Sequence, residues 1–144
     1  MFTATPYSLL EHHPRGPASH TLLIVEDEQS LLRAFAHAFE RLGYEVLTAG
    51  NVTEALDHWE RRRDDISMIV SDVQMPGPRV EELIAAVRHH HARVPFVLMS
   101  GELRGTEERI RGLMESVDGF LAKPLRIDTL RLEVERRLAV LPPG

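Results

Sequence analysis

Four polar positions in this chain follow directly on short apolar runs, and their side chains suit chemistry on charged oxygen. TLLIV leads into Glu26-Asp27-Glu28, ISMIVS into Asp72, PFVLM into Ser100, and GFLA into Lys123-Pro124. Carboxylates gathered in one place repel one another unless a cation lies between them. The chain has no cysteine, and no histidine stands at these positions. An all-oxygen site for a hard cation is therefore expected. Mg2+ is the match, since it binds through one or two carboxylates, waters and substrate phosphate oxygens. Beside such a cation Asp72 is placed to attack phosphorus and form an acyl phosphate. In-line phosphoryl transfer needs positioning and charge neutralisation and little else. Mg2+ and Lys123 would supply the charge, and the Ser100 hydroxyl would donate to a phosphoryl oxygen. Taken singly, each residue has an ordinary explanation, such as an acidic stretch favouring the start of a helix or a Lys-Pro turn. Their joint placement is harder to obtain by chance.

Positioning them requires a particular alternation of elements. Apolar runs at 21–26, 44–49, 66–71, 95–100 and 119–122 are short, and several are rich in Val and Ile, as buried strands are. Between them lie helical stripes. Leu31, Leu32, Phe35, Phe39 and Leu42 form the first, closed by Gly43. Val52, Ala55, Leu56 and Trp59 form the second, capped by Asn51 or Thr53. Leu83, Ile84 and Val87 form the third, Ile110, Leu113 and Met114 the fourth, and Ile127, Leu130, Val134 and Leu138 the fifth. Strands alternating with helices imply βα units, a parallel sheet and right-handed crossovers. The near-continuous apolar strands agree, because a parallel sheet is covered on both faces. The expected class is α/β, a doubly wound (βα)5 sandwich. Such a fold gathers its chemistry in the crevice beyond the carboxyl ends of the strands, where the four polar positions fall.

With 144 residues, 43% apolar and 27% charged, the chain fits one globular domain with a single sizeable core. The net charge of −5 argues against a direct nucleic-acid surface. No apolar run reaches membrane-spanning length, and the N-terminus lacks the pattern of a secretory signal, so a cytoplasmic protein is expected. Residues 1–20, with Pro6, Pro14, Gly16 and Pro17, read as a flexible extension, 21–140 as the folded domain and 141–144 as a tail.

LLIVEDE, SDVQMPG, LMSG and FLAKP, in this order, resemble the signatures of bacterial response-regulator receiver domains. Asp27 and Asp72 are 45 residues apart, Ser100 lies 28 further on and Lys123 another 23, as in that family. The resemblance covers about residues 20–140 and implies a sheet of strand order 2-1-3-4-5. It implies that Asp72 is the phosphorylated aspartate, and that Glu26 and Asp27 are the acidic pair for Mg2+. The main-chain carbonyl of Gln74 is implied as a further ligand. Ser100 matches the switch hydroxyl, Phe120 the aromatic switch position and Lys123 the conserved-type lysine, with Pro124 following through a cis peptide. Gln74 and Glu102 match positions that tune dephosphorylation. The implied partners are a sensor histidine kinase or histidine phosphotransfer protein, a downstream target, and a second copy through the helix 4–strand 5–helix 5 face, whose preference would change on phosphorylation. A signalling receiver, rather than an enzyme in its own right, is the expectation.

Three departures stand out. Glu26 replaces the commoner Asp, Gly101 the commoner Ala, and Val80 stands in GPRV where the family usually has Gly. Val disfavours positive φ, so the loop after Asp72 is expected to differ. A phosphorylation-independent receiver-like interaction module is the alternative, although the acidic pair, Asp72 and Lys123 are all present. A haloacid-dehalogenase-type phosphatase would want a second Asp where Gln74 stands, and a dinucleotide site would want G-x-G-x-x-G after the first strand. His89-His90-His91 and Arg61-Arg62-Arg63 read as solvated helix ends, and Trp59 as core.

Overall fold

The computed structural model describes residues 16–90, 93–102 and 105–139. After a 3-10 turn at Pro17–Ser19, the described residues form β1 (Thr21–Val25), α1 (Gln29–Arg41), β2 (Glu45–Ala49), α2 (Val52–Arg62), β3 (Ile66–Asp72), α3 (Val80–His90), β4 (Phe96–Ser100), α4 (Glu107–Ser116), β5 (Gly119–Ala122) and α5 (Ile127–Leu138). All strand pairs are parallel, in the order β2-β1-β3-β4-β5. The doubly wound sandwich expected from the sequence is the fold.

Strand side chains alternate between faces, and the apolar runs therefore feed two cores. On one face, Leu23, Ile69 and Leu98 pack against Trp59 of α2, Leu83 of α3 and Leu113 of α4. On the other, Ile24, Val70 and Val97 pack against Phe35 and Phe39 of α1 and Leu130 of α5. Every residue of β1 and β4 is buried. Each large apolar side chain so buried stabilises the fold by about 1.5–3 kcal/mol, which holds these strands, and whatever stands at their ends, in place.

The connections carry their expected signals. Gly43, at φ +105°, takes the left-handed position after α1. Of the two cap candidates for α2, Asn51 is the one used, its Oδ1 accepting from the Glu54 N–H at 2.8 Å. The departure in GPRV resolves simply. Gly77 takes the positive φ of +92°, while Val80 begins α3 and is buried in the first core. The fourth helix departs from its predicted stripe, because Leu113 is buried while Met114 is 45% exposed and Ile110 lies between. Arg62 is less solvated than a helix end suggests, pairing with Glu45 at 2.7 Å and Asp65 at 2.8 Å. His89 and His90 are exposed and stack edge to face, and His91 lies outside the described residues.

Candidate functional site

The carboxyl ends of β1 and β3 are neighbours because these strands pair in register through Val25 and Ser71. One residue beyond that pair stand Glu26 and Asp72. Carboxylate oxygens of Glu26, Asp27 and Asp72 lie within 4.8 Å of one another. Among the described residues no other group of histidine and acidic side chains has this metal-ligand geometry. Glu26 and Asp72 are buried and Asp27 is exposed, so the cluster opens to solvent on one side.

Lys123 arrives from the end of β5, where its N–H donates to the Ser100 carbonyl at 2.8 Å. Its ammonium donates to Glu26 Oε1 and lies 3.3 Å from Asp72 Oδ2. Burial opposes the charge on Lys123, yet the hydrogen bond to Glu26 and the nearby Asp72 hold its pKa above the ordinary 10.5. The two carboxylates thus favour the charged ammonium. The pKa of Glu26 is raised as well, and here burial is the cause that prevails. Burial raises its pKa above 4.5, against the hydrogen bonds from Lys123 and from the Glu28 N–H at 3.1 Å. The Lys123–Pro124 peptide is cis.

Ser100 and Phe120 share a sheet face. Phe120 lies opposite Leu98 in the β4–β5 ladder, so Ser100, two residues past Leu98, projects from the same side. Ser100 is buried and its Oγ accepts from the Glu102 N–H at 3.2 Å. Phe120 is half-buried against the first core. Gln74 reaches across the crevice and donates to the Glu102 carbonyl, linking the loops after β3 and β4. Gly101 stands beside the lysine, and a Cβ added there would sit in ordinary contact, 3.8 Å from Lys123 Cβ.

Glu26, Asp27, Asp72, Gln74, Ser100, Glu102 and Lys123 therefore lie at the carboxyl end of the sheet, while Phe120 stands two residues back along its face, opposite Leu98. Two features were not foreseen. Ser71, fully buried, turns its hydroxyl to donate to the Asp72 carbonyl at 2.9 Å. Glu81 on α3 binds Arg109 on α4 through two hydrogen bonds. Neither has a spacing signal, since the first is a local rotamer choice and the second spans 28 residues.

Known proteins share sequence and fold with this chain. The chain is 30% identical over 125 residues to the nitrogen assimilation regulatory protein NtrX of Azorhizobium caulinodans, which covers 85% of this chain and 27% of that protein. It is 31% identical over 120 residues to the sensor kinase CckA of Brucella abortus, covering 83% and 13%. The chain thus spans less than a third of the length of either relative. The chemotaxis protein CheY4 of Vibrio cholerae has the same fold, with a TM-score of 0.72 and 30% identity over 83% of this chain and 98% of that one. Residues 22–135 match the response regulator receiver domain as a family, and this chain belongs to it.

Proposed function

We propose that this chain is a phosphoryl-accepting receiver of a two-component or phosphorelay system, modified on Asp72. The observation that carries the proposal is the meeting of three carboxylates within 4.8 Å with the Lys123 ammonium 3.3 Å from Asp72 Oδ2. Such a donor set fits a hard divalent cation. Mg2+ would be held by Glu26, Asp27, Asp72 and the Gln74 main-chain carbonyl, and when bound it supplies neutralising charge at the transferring phosphoryl oxygens. The donor is a sensor histidine kinase or a histidine phosphotransfer protein. An Asp72 carboxylate oxygen attacks phosphorus, the phosphorus–nitrogen bond of the donor phosphohistidine breaks, and its electron pair returns to the imidazole. Lys123 stabilises the charge on the phosphoryl group. The Ser100 hydroxyl donates to it, Phe120 follows into the space vacated, and Gln74 and Glu102 tune the return to the free carboxylate.

The surface that changes is that of α4, β5 and α5. It offers Leu132, 66% exposed, and Met114 as its large apolar side chains, which suits a downstream target or a second copy. The functional unit is taken as residues 21–140, with 1–20 an extension and 141–144 a tail. A cytoplasmic setting accords with the donor chemistry. Among the described residues no helix is long and apolar enough to cross a membrane.

Incubation with acetyl phosphate and Mg2+ tests the central step. The wild-type protein should gain one acid-stable, hydroxylamine-labile phosphoryl group, and Asp72→Asn should gain none. Equal labelling of the variant would sink the assignment. Ser100→Ala should still label while losing phosphorylation-dependent changes in α4–β5–α5; an intact response would remove Ser100 from the switch.

A further inference from the structure

Helix α4 is held differently from the other helices, and the difference bears on how the signal would leave the site. It buries one side chain, Leu113, where α3 buries Val80, Leu83, Ile84 and Val87. Between the two helices runs an open groove of about 610 Å3, with Ile84 and Ala85 on one wall and Gly112 and Leu113 on the other. A Cβ at Gly112 would meet nothing within 4 Å. Packing along the groove therefore leaves α4 weakly fixed, and polar pairs close its two ends.

The two ends are not equivalent. At the far end, Arg88 of α3 donates to the Val94 carbonyl at 2.7 Å and to Asp118 Oδ2 at 2.9 Å. Asp118 also accepts the Phe96 N–H at 2.7 Å, so this end is tied to strand starts. At the site end, Arg109 Nε donates to Glu81 Oε2 at 2.6 Å and Nη2 to Oε1 at 3.0 Å. This two-point geometry is directional and tolerates little displacement. The Arg109 main-chain N–H caps on Thr106 Oγ1 at 3.1 Å, and its Cδ lies 3.3 Å from where a Gly105 Cβ would be. Arg109 is thus fixed to Gly105 and Thr106 at the start of α4, and Glu81 belongs to the helix that follows Asp72.

We infer that the Glu81–Arg109 pair is a latch holding the first turn of α4 against α3 in the unphosphorylated protein. The two residues are positioning residues, acting through the Ser100–Glu102 segment and touching no phosphoryl group. The inference rests on the phosphoacceptor reading above. When that segment is drawn toward Asp72, α4's first turn moves relative to α3 and the two-point pair is lost. Its side chains are 39% and 23% exposed, so the latch is weak enough to release. A contact present in one state only biases the equilibrium by its own free energy, and the apparent affinity of a ligand that prefers the other state changes by at most the corresponding factor.

The test uses beryllofluoride with Mg2+ as the phosphoryl mimic and follows amide resonances of labelled protein. Glu81→Gln and Arg109→Lys should each bind it about two- to fivefold more tightly than wild type. The double exchange Glu81→Arg/Arg109→Glu should return the affinity toward wild type. A merely structural pair would lower the melting temperature and leave the affinity unchanged. Unchanged or weaker binding in the single variants overturns the latch, and so does an exchange variant that remains as tight as they are. If wild type binds no beryllofluoride, the phosphoacceptor reading fails, and amide exchange in the free protein decides the latch. Faster exchange across 105–113 in Glu81→Gln supports it; unchanged exchange overturns it.

Discussion

Strand β4 buries all five of its residues between two helical layers, whereas β5, paired to it along its length, leaves three half-buried and Ala122 exposed. The helices repeat the contrast, with four buried side chains in α3 and one in α4. The acidic cluster belongs to the first kind of region, standing on β1 and β3. Lys123, Phe120 and the segment after Ser100 belong to or adjoin the second. Local stability varies across a fold, and moving parts come from its low end. A receiver needs both, a fixed place to take up charge and a neighbouring region whose position that charge can decide.

The largest effect expected from this contrast is at the sheet centre. Phe96 is fully buried at the start of β4. Phe96→Ala should destabilise the whole molecule by about 3–5 kcal/mol, read as a single shifted denaturant transition. A loss below about 1 kcal/mol would mean the centre is no better anchored than the edge. Leu113→Ala, which removes the one buried side chain of α4, should lose about 2–3 kcal/mol with a different signature. Amide exchange should quicken across α4 and β5 well before β1 and β3. Uniform loss of protection across the sheet would break the comparison.

Much of the centre was legible in the sequence, and much of the edge was not. Glu26, Asp72, Ser100 and Lys123 each end or directly follow their own strand, so chain order alone located them once a parallel sheet was recognised. The topology then does the long-range work of bringing 26, 72 and 123 together. The apolar stripe Ile110, Leu113, Met114 overstated the burial of α4, because periodicity reports which face is apolar and not whether anything covers it. The GPRV stretch flagged an unusual loop, but only backbone geometry shows that Gly77 carries the positive φ and Val80 starts a helix. Glu81–Arg109 and Arg88–Asp118 join positions about 30 residues apart. Sequence records no register for such pairs, since they depend on how two helices come to lie side by side.

The edge has one tight contact, where the next effect is smaller. A Cβ at Gly119 would lie 2.8 Å from Glu133 Oε2 and 2.9 Å from Arg137 Nη2. Both atoms end flexible side chains that can swing aside, so Gly119→Ala should cost about 1 kcal/mol, through displacing the Glu133–Arg137 pair rather than through backbone overpacking, and it should loosen β5 from α5 rather than unfold the centre. A neutral outcome in thermal melts would show that this side of β5 yields freely.

An effect of similar size concerns the carboxylate in that contact. Glu133 is buried on α5, and it accepts from Arg137 at 2.8 Å as well as from Arg136. Arg137 in turn donates to the Asp118 carbonyl at the head of β5. Burial raises the Glu133 pKa, but the hydrogen bonds from Arg136 and Arg137 outweigh it and hold the carboxyl below the ordinary 4.5. As pH falls, the unfolded chain takes up the proton before the folded one does. The contribution of this group is therefore whole above 4.5 and is lost as pH drops through the folded value. Glu133→Gln should be about 1 kcal/mol less stable than wild type at neutral pH, and the gap should hold to about pH 5 and close below it. A gap independent of pH would show that the carboxylate charge contributes nothing, leaving shape alone to fasten α5 to the edge. A gap that closes on acidification, together with slow exchange in β3 at the same pH, would locate an acid-sensitive contact on the β5–α5 side of the molecule.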